Sequence, residues 1–194
     1  MNMKIFDGRI VVPLKCGTRY CERIFSTYDL VWDYHWYPSK DILNQSYWIV
    51  YRHPIKHLIS ALQTEMLMVF NHRDDSSIGM VLDRFLSDGG TGHWSNQICQ
   101  DLYNHWSNNH RKVNLIEIEN LSSTLESLGY GVVEFDESDY AFKTQPNLKS
   151  KEECVEYVKT HHPTEWELLY SYALKDVVYY EKLNNRERVI PKII

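Results

Sequence analysis

Apolar residues occur along the chain in short continuous runs and in longer runs with a helical period. Residues 47–51 (YWIVY) form the clearest continuous run, and residues 9–13 (RIVVP) form a shorter one that ends at a proline. Continuous β-branched and aromatic runs of this length are typical of buried parallel strands. Residues 113–119 (VNLIEIE) alternate as a strand does, and we predict further strands over 29–32 and 130–135.

Helices are predicted between these strands. Pro54 occupies a favoured first-turn position, and the apolar residues after it recur about every 3.6 positions: Ile55, Leu58, Ile59, Leu62, Met66 and Val69. Gly129 is placed to end a helix, and Ser150 with Glu153 forms a capping box that begins another. The remaining patterns predict helices over residues 19–28, 78–85, 98–106, 120–128, 150–158 and 166–180, with a polar break over 71–77.

Strands that alternate with helices favour an α/β fold of three layers, with a central parallel sheet covered by helices on both faces. The 194 residues suit a single domain over 1–194. Its motif-bearing part covers about residues 9–128 and its helix-rich end about 150–184. In such sheets ligands bind at the carboxyl ends of strands, so the turns after Val12 and after Tyr51 are the candidate ligand-binding positions.

Charge and cysteine usage narrow the class of protein. The formal net charge of −5 disfavours non-specific binding to nucleic acid or to an anionic membrane. The four cysteines form no CxxC pair, which indicates reduced thiols in a cytoplasmic protein rather than a zinc site or a disulfide framework. The chain has no run of 18 apolar residues and no signal-peptide pattern at its first residues, so we expect neither secretion nor a membrane span.

The first of the two turns combines features that suit a phosphate or sulfate group. It reads PLKCGTR over residues 13–19. Gly17 allows the backbone to approach a ligand, and the helix that follows presents N–H groups without intrahelical partners. Lys15 adds a cation, Thr18 a hydroxyl donor and Arg19 a forked donor. The alternative, an ordinary connection between strand and helix, remains open for this turn taken alone.

The second turn places a cation at the same predicted edge. Arg52 follows the strand directly, and Ser60 lies two turns into the helix that begins at Pro54. The expectation is that Arg52 points into the same crevice as Lys15. An arginine that only caps the sheet edge, beside a serine that only packs, is the structural alternative.

Together the two turns resemble those of the sulfotransferases that use 3′-phosphoadenosine 5′-phosphosulfate (PAPS), particularly the carbohydrate branch. The family's P-K-x-G-T/S pattern is matched by Pro13, Lys15, Gly17 and Thr18. Its R-D-P-x-x-R-x-x-S pattern is matched at three positions and departs at two: Arg52, Pro54 and Ser60 match, whereas His53 and His57 replace the aspartate and the second arginine.

Residues 15–19 (KCGTR) are close to the K-G-G-T-R of some heparan-type members of that family, with Cys16 in place of the middle glycine, and two later segments are similar to its chondroitin-type members. Residues 92–97 (GHWSNQ) resemble an H-W/F-x-P-Q stretch, with Asn96 where proline is usual. Residues 116–121 (IEIENL) resemble a strand followed by an E-x-L turn. The resemblance implies a P-loop-like sulfotransferase fold and a reaction without a metal.

The resemblance also implies a division of labour within the site. Lys15 would hold the 5′-phosphosulfate, the backbone around Gly17, Thr18 and Arg19 would cradle the 5′-phosphate, and Arg52 with Ser60 would bind the 3′-phosphate. The complete set expected at PAPS is Lys15, Cys16, Gly17, Thr18, Arg19, Tyr20, Arg52 and Ser60. The acceptor hydroxyl, expected on a saccharide, needs a general base. His93 is the first candidate and His35, beside Asp33, is the second, although nine histidines make an ordinary role common for any one of them.

Two other functions remain open at this stage. The first is a kinase-like transferase that uses Lys15 to hold ATP, although the sequence offers neither GxxxxGK[ST] nor an obvious magnesium carboxylate near the first turn. The second is a degenerate sulfotransferase fold that binds nucleotide or glycan without turnover, which the departures at His53, His57 and Asn96 suggest. The short chain also leaves open acceptor contacts from a second subunit, in a homo-oligomer.

Overall fold

A computed structural model of the chain describes residues 3–6, 9–13, 15–25, 46–70, 76–87, 90–91, 94–109, 112–131 and 150–185. The predicted strand over 29–32 lies outside these residues, as do His35, Asp33 and His93. The predicted strand over 130–135 is described only at Tyr130 and Gly131, which are not in a strand.

Within the described residues the fold is α/β and centres on a four-stranded sheet. Its strands are β1 (Met3–Phe6), β2 (Ile10–Pro13), β3 (Tyr47–Tyr51) and β6 (Val113–Glu117), and they lie side by side in that order. Strand β3 pairs in parallel with β2 on one side and with β6 on the other. The carboxyl ends of these three strands therefore lie along one edge of the sheet, which we call the carboxyl edge.

The sheet is mixed, and in this respect the expectation of a parallel sheet is wrong. Strand β1 runs antiparallel to β2, in a register that pairs Met3 with Pro13 and Phe6 with Ile10. The amide of Arg9 donates to the carbonyl of Phe6 at 3.1 Å. An antiparallel strand added beside a parallel sheet is a common arrangement.

The helices follow the predicted pattern, with bounds that the structure extends or shortens. They are α1 (Thr18–Ile24), α2 (Pro54–Phe70), α3 (Ser76–Ser87), α4 (Ile98–Asn109), α5 (Leu121–Ser127), α6 (Lys151–His161) and α7 (Pro163–Asn184). The Ser150–Glu153 capping box is present, and Gly129 ends α5 with a φ of 87°. A 3-10 turn (Ile118–Asn120) joins β6 to α5, and the short strands β4 (Gly90–Thr91) and β5 (Trp94–Ser95) pair beside α3.

The apolar interior forms two clusters, and α7 contributes to both. One cluster surrounds the sheet and includes residues of α1, α4 and α5 together with Leu183 of α7. The other lies among α2, α3 and α6 and includes Leu169 and Ala173 of α7. The long final helix thus joins the sheet to the helical part of the molecule. No helix in the described part of the chain is long and apolar enough to cross a membrane.

A buried carboxylate fixes α7 against the start of α4. Asp176 is 3% exposed, and its two oxygens accept the backbone N–H groups of Cys99 and Gln100, each at 2.8 Å. These N–H groups belong to the first turn of α4 and have no acceptor inside their own helix. Burial raises the pKa of Asp176 to about 6, although the hydrogen bonds from α4 act in the opposite direction.

We predict that Asp176 makes the stability of the protein depend on pH between about 4 and 7. Because its folded pKa lies above the ordinary value, the neutral form favours folding, and that contribution is lost as pH rises through about 6. The free energy of unfolding of the wild type should fall by about 3 kcal/mol relative to Asp176→Asn over this range. Denaturant unfolding of both proteins at several pH values measures the difference, and parallel curves would contradict the prediction.

Candidate functional site

The turn between β2 and α1 has an unusual backbone. Lys15 and Gly17 both have left-handed conformations, with φ values of 66° and 90°. The amide of Cys16 donates to the carbonyl of Pro13 at 3.0 Å, and the first turn of α1 is closed by the bond from Cys21 N to the Gly17 carbonyl at 3.0 Å. Left-handed residues also occur in anion-binding turns, but here the N–H group of Cys16 is used inside the turn.

Gly17 is required by its surroundings as well as by its φ. A Cβ atom built there would lie 2.8 Å from Leu121 Cδ2, closer than real Cβ contacts come. Leu121 is the first residue of α5, so the turn after β2 packs directly on the segment that follows β6. Contact with Leu121 therefore helps to fix the position of the turn between β2 and α1.

The structure brings Arg52 and Lys15 together. Arg52 directly follows β3, and its Nη1 donates to the Lys15 carbonyl at 2.9 Å. Among the described residues, the buried Arg52 Nε atom has no hydrogen-bond acceptor and Arg52 makes no ion pair. The guanidinium therefore retains, at the carboxyl edge, hydrogen-bonding capacity that these residues do not use.

Two buried thiols lie behind this pair of turns. Cys16 is fully buried, and burial raises its pKa to about 12 in spite of the nearby Arg52 charge. The Cys99 thiol donates to the carbonyl of Arg52 at 3.7 Å, and its pKa is also raised, by burial first and then by the charge of Asp176. Both thiols are neutral at physiological pH, and the N–H group of Cys16 is already bonded to Pro13, so a role for Cys16 at the cofactor stays a prediction.

Two other residues expected at the cofactor, Thr18 and Tyr20, make hydrogen bonds within the protein. The Thr18 hydroxyl is buried and donates its single proton to the Pro13 carbonyl at 3.2 Å, so its role as a donor to a ligand stays a prediction. The Tyr20 hydroxyl donates to Ser122 Oγ at 2.7 Å and ties α1 to α5. Arg19 lies in the first turn of α1, and its side chain is outside the described atoms.

His53, the residue next to Arg52, has an environment that favours its neutral form. Its Nδ1 accepts the backbone N–H of Ile55 at 3.3 Å, so the proton of the neutral ring is assigned to Nε2. Its ring packs edge to face on Tyr180, with centroids 4.8 Å apart. Partial burial, followed by the charge of Lys56, lowers the pKa of His53, while nearby glutamates oppose the shift. In this state His53 presents an N–H donor rather than a base at Nε2.

Two glutamates also lie at the carboxyl edge, and the sequence analysis did not assign them. Glu117 ends β6, and Tyr180 Oη donates to its carboxylate. Glu119 lies in the 3-10 turn and pairs with Lys56 of α2, with Nζ and Oε1 2.7 Å apart. The signal was present in the sequence, because the rule that selected Arg52 applies equally to the acidic end of the predicted strand over 113–119.

The other predicted site residues are less closely connected to the two turns. Ser60 is half-buried in the second turn of α2, and among the described residues no hydrogen bond joins its side chain to Arg52 or to the first turn. Its role at a 3′-phosphate stays a prediction. His57 is fully buried in α2, where the family pattern has an arginine.

The segment over 92–97 is described only from Trp94 onward. Trp94 is 1% exposed and stacks on Phe85, with ring centroids 5.4 Å apart, so it belongs to the core of the helical part. The two candidate bases, His93 and His35, lie outside the described residues and stay predictions. Where the chain is described, no group of three or more His, Cys, Asp or Glu side chains is arranged to hold a metal ion.

Comparisons with protein-family models, with curated proteins and with solved structures found no match to this chain.

We predict that Gly17→Ala destabilises the protein more than Gly129→Ala does. Both glycines have a left-handed φ, but only Gly17 has a neighbour in the way, since nothing lies within 4 Å of a Cβ at Gly129. Backbone strain should cost about 1 kcal/mol at either position, and overlap with Leu121 should add about 2 kcal/mol at Gly17. Denaturant unfolding gives both values. Equal losses would mean that Leu121 moves aside freely.

Proposed function

We propose that this protein is a sulfotransferase that moves a sulfuryl group from PAPS to an acceptor hydroxyl, on a P-loop-like sulfotransferase fold. The hydrogen bond from Arg52 Nη1 to the Lys15 carbonyl, at the ends of two adjacent parallel strands, carries the proposal. This bond joins, at the carboxyl edge, the two turns whose sequences resemble the PAPS-binding turns of that family. A ligand with phosphates at both ends of a ribose suits an edge with two separate cationic groups.

The described residues fit such a ligand on chemical grounds. The buried Nε of Arg52 has no acceptor among the described residues, and a guanidinium of this kind suits a phosphate oxygen as a partner. The left-handed residues Lys15 and Gly17 lead directly into α1, whose first N–H groups lie at the same edge. The neutral thiol of Cys16 adds no negative charge there.

In the proposed reaction the acceptor oxygen attacks sulfur in line as the bond from sulfur to the bridging phosphate oxygen breaks. The acceptor proton passes to a base, for which His93 and His35 are the candidates. Lys15 neutralises the phosphate that leaves, and Arg52 with Ser60 holds the 3′-phosphate. Positioning and electrostatic stabilisation supply most of the rate in transfers of this kind. The acceptor is a saccharide in this proposal, which rests on the carbohydrate-branch motifs, and the setting is the cytoplasm.

A kinase-like transferase that uses ATP and magnesium is the second candidate. Glu117 favours it, because a carboxylate at the carboxyl end of a strand beside β3 is suitably placed for a magnesium ligand. Its carboxylate already accepts from Tyr180, however, and Glu119 is paired with Lys56. Calorimetric titration with 3′-phosphoadenosine 5′-phosphate and with magnesium ATP separates the two, since the sulfotransferase should bind the bisphosphate more tightly.

We predict that Arg52→Ala weakens binding of 3′-phosphoadenosine 5′-phosphate by about 10- to 100-fold, the range expected for a lost hydrogen bond between charged groups. Adenosine 5′-phosphosulfate, which lacks the 3′-phosphate, should lose much less affinity. Calorimetry measures both ligands. Arg84→Ala is the matched control, because Arg84 is exposed on α3 and bonds only within its own helix. Equal losses for the two ligands would contradict the assigned contact.

We predict that Lys15→Ala abolishes sulfate transfer, with a loss of at least about 100-fold, because the charge on the leaving phosphate is no longer neutralised. A radiolabelled-sulfate assay over a panel of glycans measures turnover, and thermal unfolding checks that the variant is folded. Lys112→Ala is the control at the opposite edge of the sheet, since Lys112 directly precedes β6. Wild-type protein that binds the bisphosphate but transfers sulfate to no acceptor would instead favour the non-catalytic alternative.

A further inference from the structure

An exposed ion pair lies beside the proposed phosphate site. Lys56 is in the first turn of α2, four residues after Arg52, and Glu119 is in the 3-10 turn after β6. Their Nζ and Oε1 atoms are 2.7 Å apart, and the two side chains are 57% and 42% exposed. The pair therefore links the segments that follow two neighbouring strands, at the edge where Arg52 meets the first turn.

Glu119 is electrostatically coupled to both turns of the site. Partial burial by itself raises the pKa of Glu119, but the hydrogen bond from Lys56 and the charges of Lys56 and Arg52 bring it below its ordinary value. The charge of Glu119 also raises the pKa of the Cys16 thiol, in the turn after β2, and the pKa of His53, in the turn after β3. An anion held by Arg52 would thus be repelled by Glu119 and attracted by Lys56.

Lys56 can exchange Glu119 for another anion at a small cost in free energy. An exposed ion pair contributes little to stability, because water screens it and two long side chains must be ordered to make it. A phosphate carries up to two negative charges and offers three acceptor oxygens, whereas a carboxylate carries one charge. An ammonium group held between the two therefore favours the phosphate when the phosphate is near.

We propose that Lys56 is a further phosphate-binding residue, and that Glu119 is an internal competitor that holds Lys56 and opposes anions at Arg52 until the ligand's 3′-phosphate replaces it. This inference rests on the proposed function, which supplies the bisphosphate nucleotide. It gives Glu119 a role in specificity, because a ligand with a single weak negative charge does not displace it.

The two residues should change affinity in opposite directions. We expect Glu119→Gln to bind 3′-phosphoadenosine 5′-phosphate about 3- to 10-fold more tightly and Lys56→Met to bind it less tightly by a similar factor, as a charge a few ångströms from the ligand would produce. Both changes should be smaller for adenosine 5′-monophosphate, which lacks the 3′-phosphate. Both should also shrink when the salt concentration is raised, since exposed charges are screened.

Calorimetric titration of the full chain at two salt concentrations tests this inference. Glu126→Gln is the matched control, because it removes the same charge from an exposed residue in the last turn of α5. Weaker or unchanged binding by Glu119→Gln would overturn the inference, as would an equal gain in Glu126→Gln or tighter binding by Lys56→Met. Wild-type protein that does not bind the bisphosphate would instead refute the proposed function, and the inference with it.

Discussion

The parallel pairing of β2 with β3 is the constraint on which the rest of the candidate site depends. Its register sets Ile10 opposite Trp48 and Val11 opposite Ile49, so the two strands end near one another and Arg52 reaches the carbonyl of Lys15. A shift of one residue would turn every side chain of β3 to the other face of the sheet. Tyr47, Ile49 and Tyr51 are buried on one face and Val50 on the other, so a shift would disrupt close packing on both faces of β3, and this cost keeps the register fixed.

Helix α7 supports the edge that this register creates. Tyr51 Oη donates to Asn184, and Tyr180 Oη donates to Glu117, so the last turns of α7 are bonded to the ends of β3 and β6. Further back, Asp176 holds the first turn of α4, whose Cys99 thiol donates to the Arg52 carbonyl. The same helix packs its earlier turns into the second apolar cluster. These hydrogen bonds and packing contacts therefore link the helical part of the molecule to the backbone of Arg52.

Local sequence patterns were sufficient to predict most of the helices and strands, but they did not predict which distant residues contact the candidate site. The continuous run YWIVY and the helical period after Pro54 each depend on neighbouring residues, and the structure has β3 and α2 at the predicted positions. Strand β1 was missed because four residues give little periodicity, although Asp7-Gly8 is a common hairpin dipeptide.

The contacts of Tyr180 with His53 and Glu117 join residues far apart in sequence, so no local signal announces them. Thr18 shows another limit of local reasoning, since the sequence suggests a hydroxyl donor to a ligand but not the hydrogen bond that this hydroxyl makes to the Pro13 carbonyl of its own turn.

The charges at the carboxyl edge show why the backbone must share in holding a multiply charged anion there. Among the side chains that the structure describes at this edge, Lys15, Arg52 and Lys56 are the cations, whereas the lowered pKa of His53 keeps that ring neutral. Glu117 and Glu119 offset much of this positive charge, and the chain as a whole carries −5. In the proposed complex a bisphosphate nucleotide would gain only a small surplus of side-chain charge. The remaining stabilisation would then come from N–H groups at the start of α1, which follows the left-handed Lys15 and Gly17.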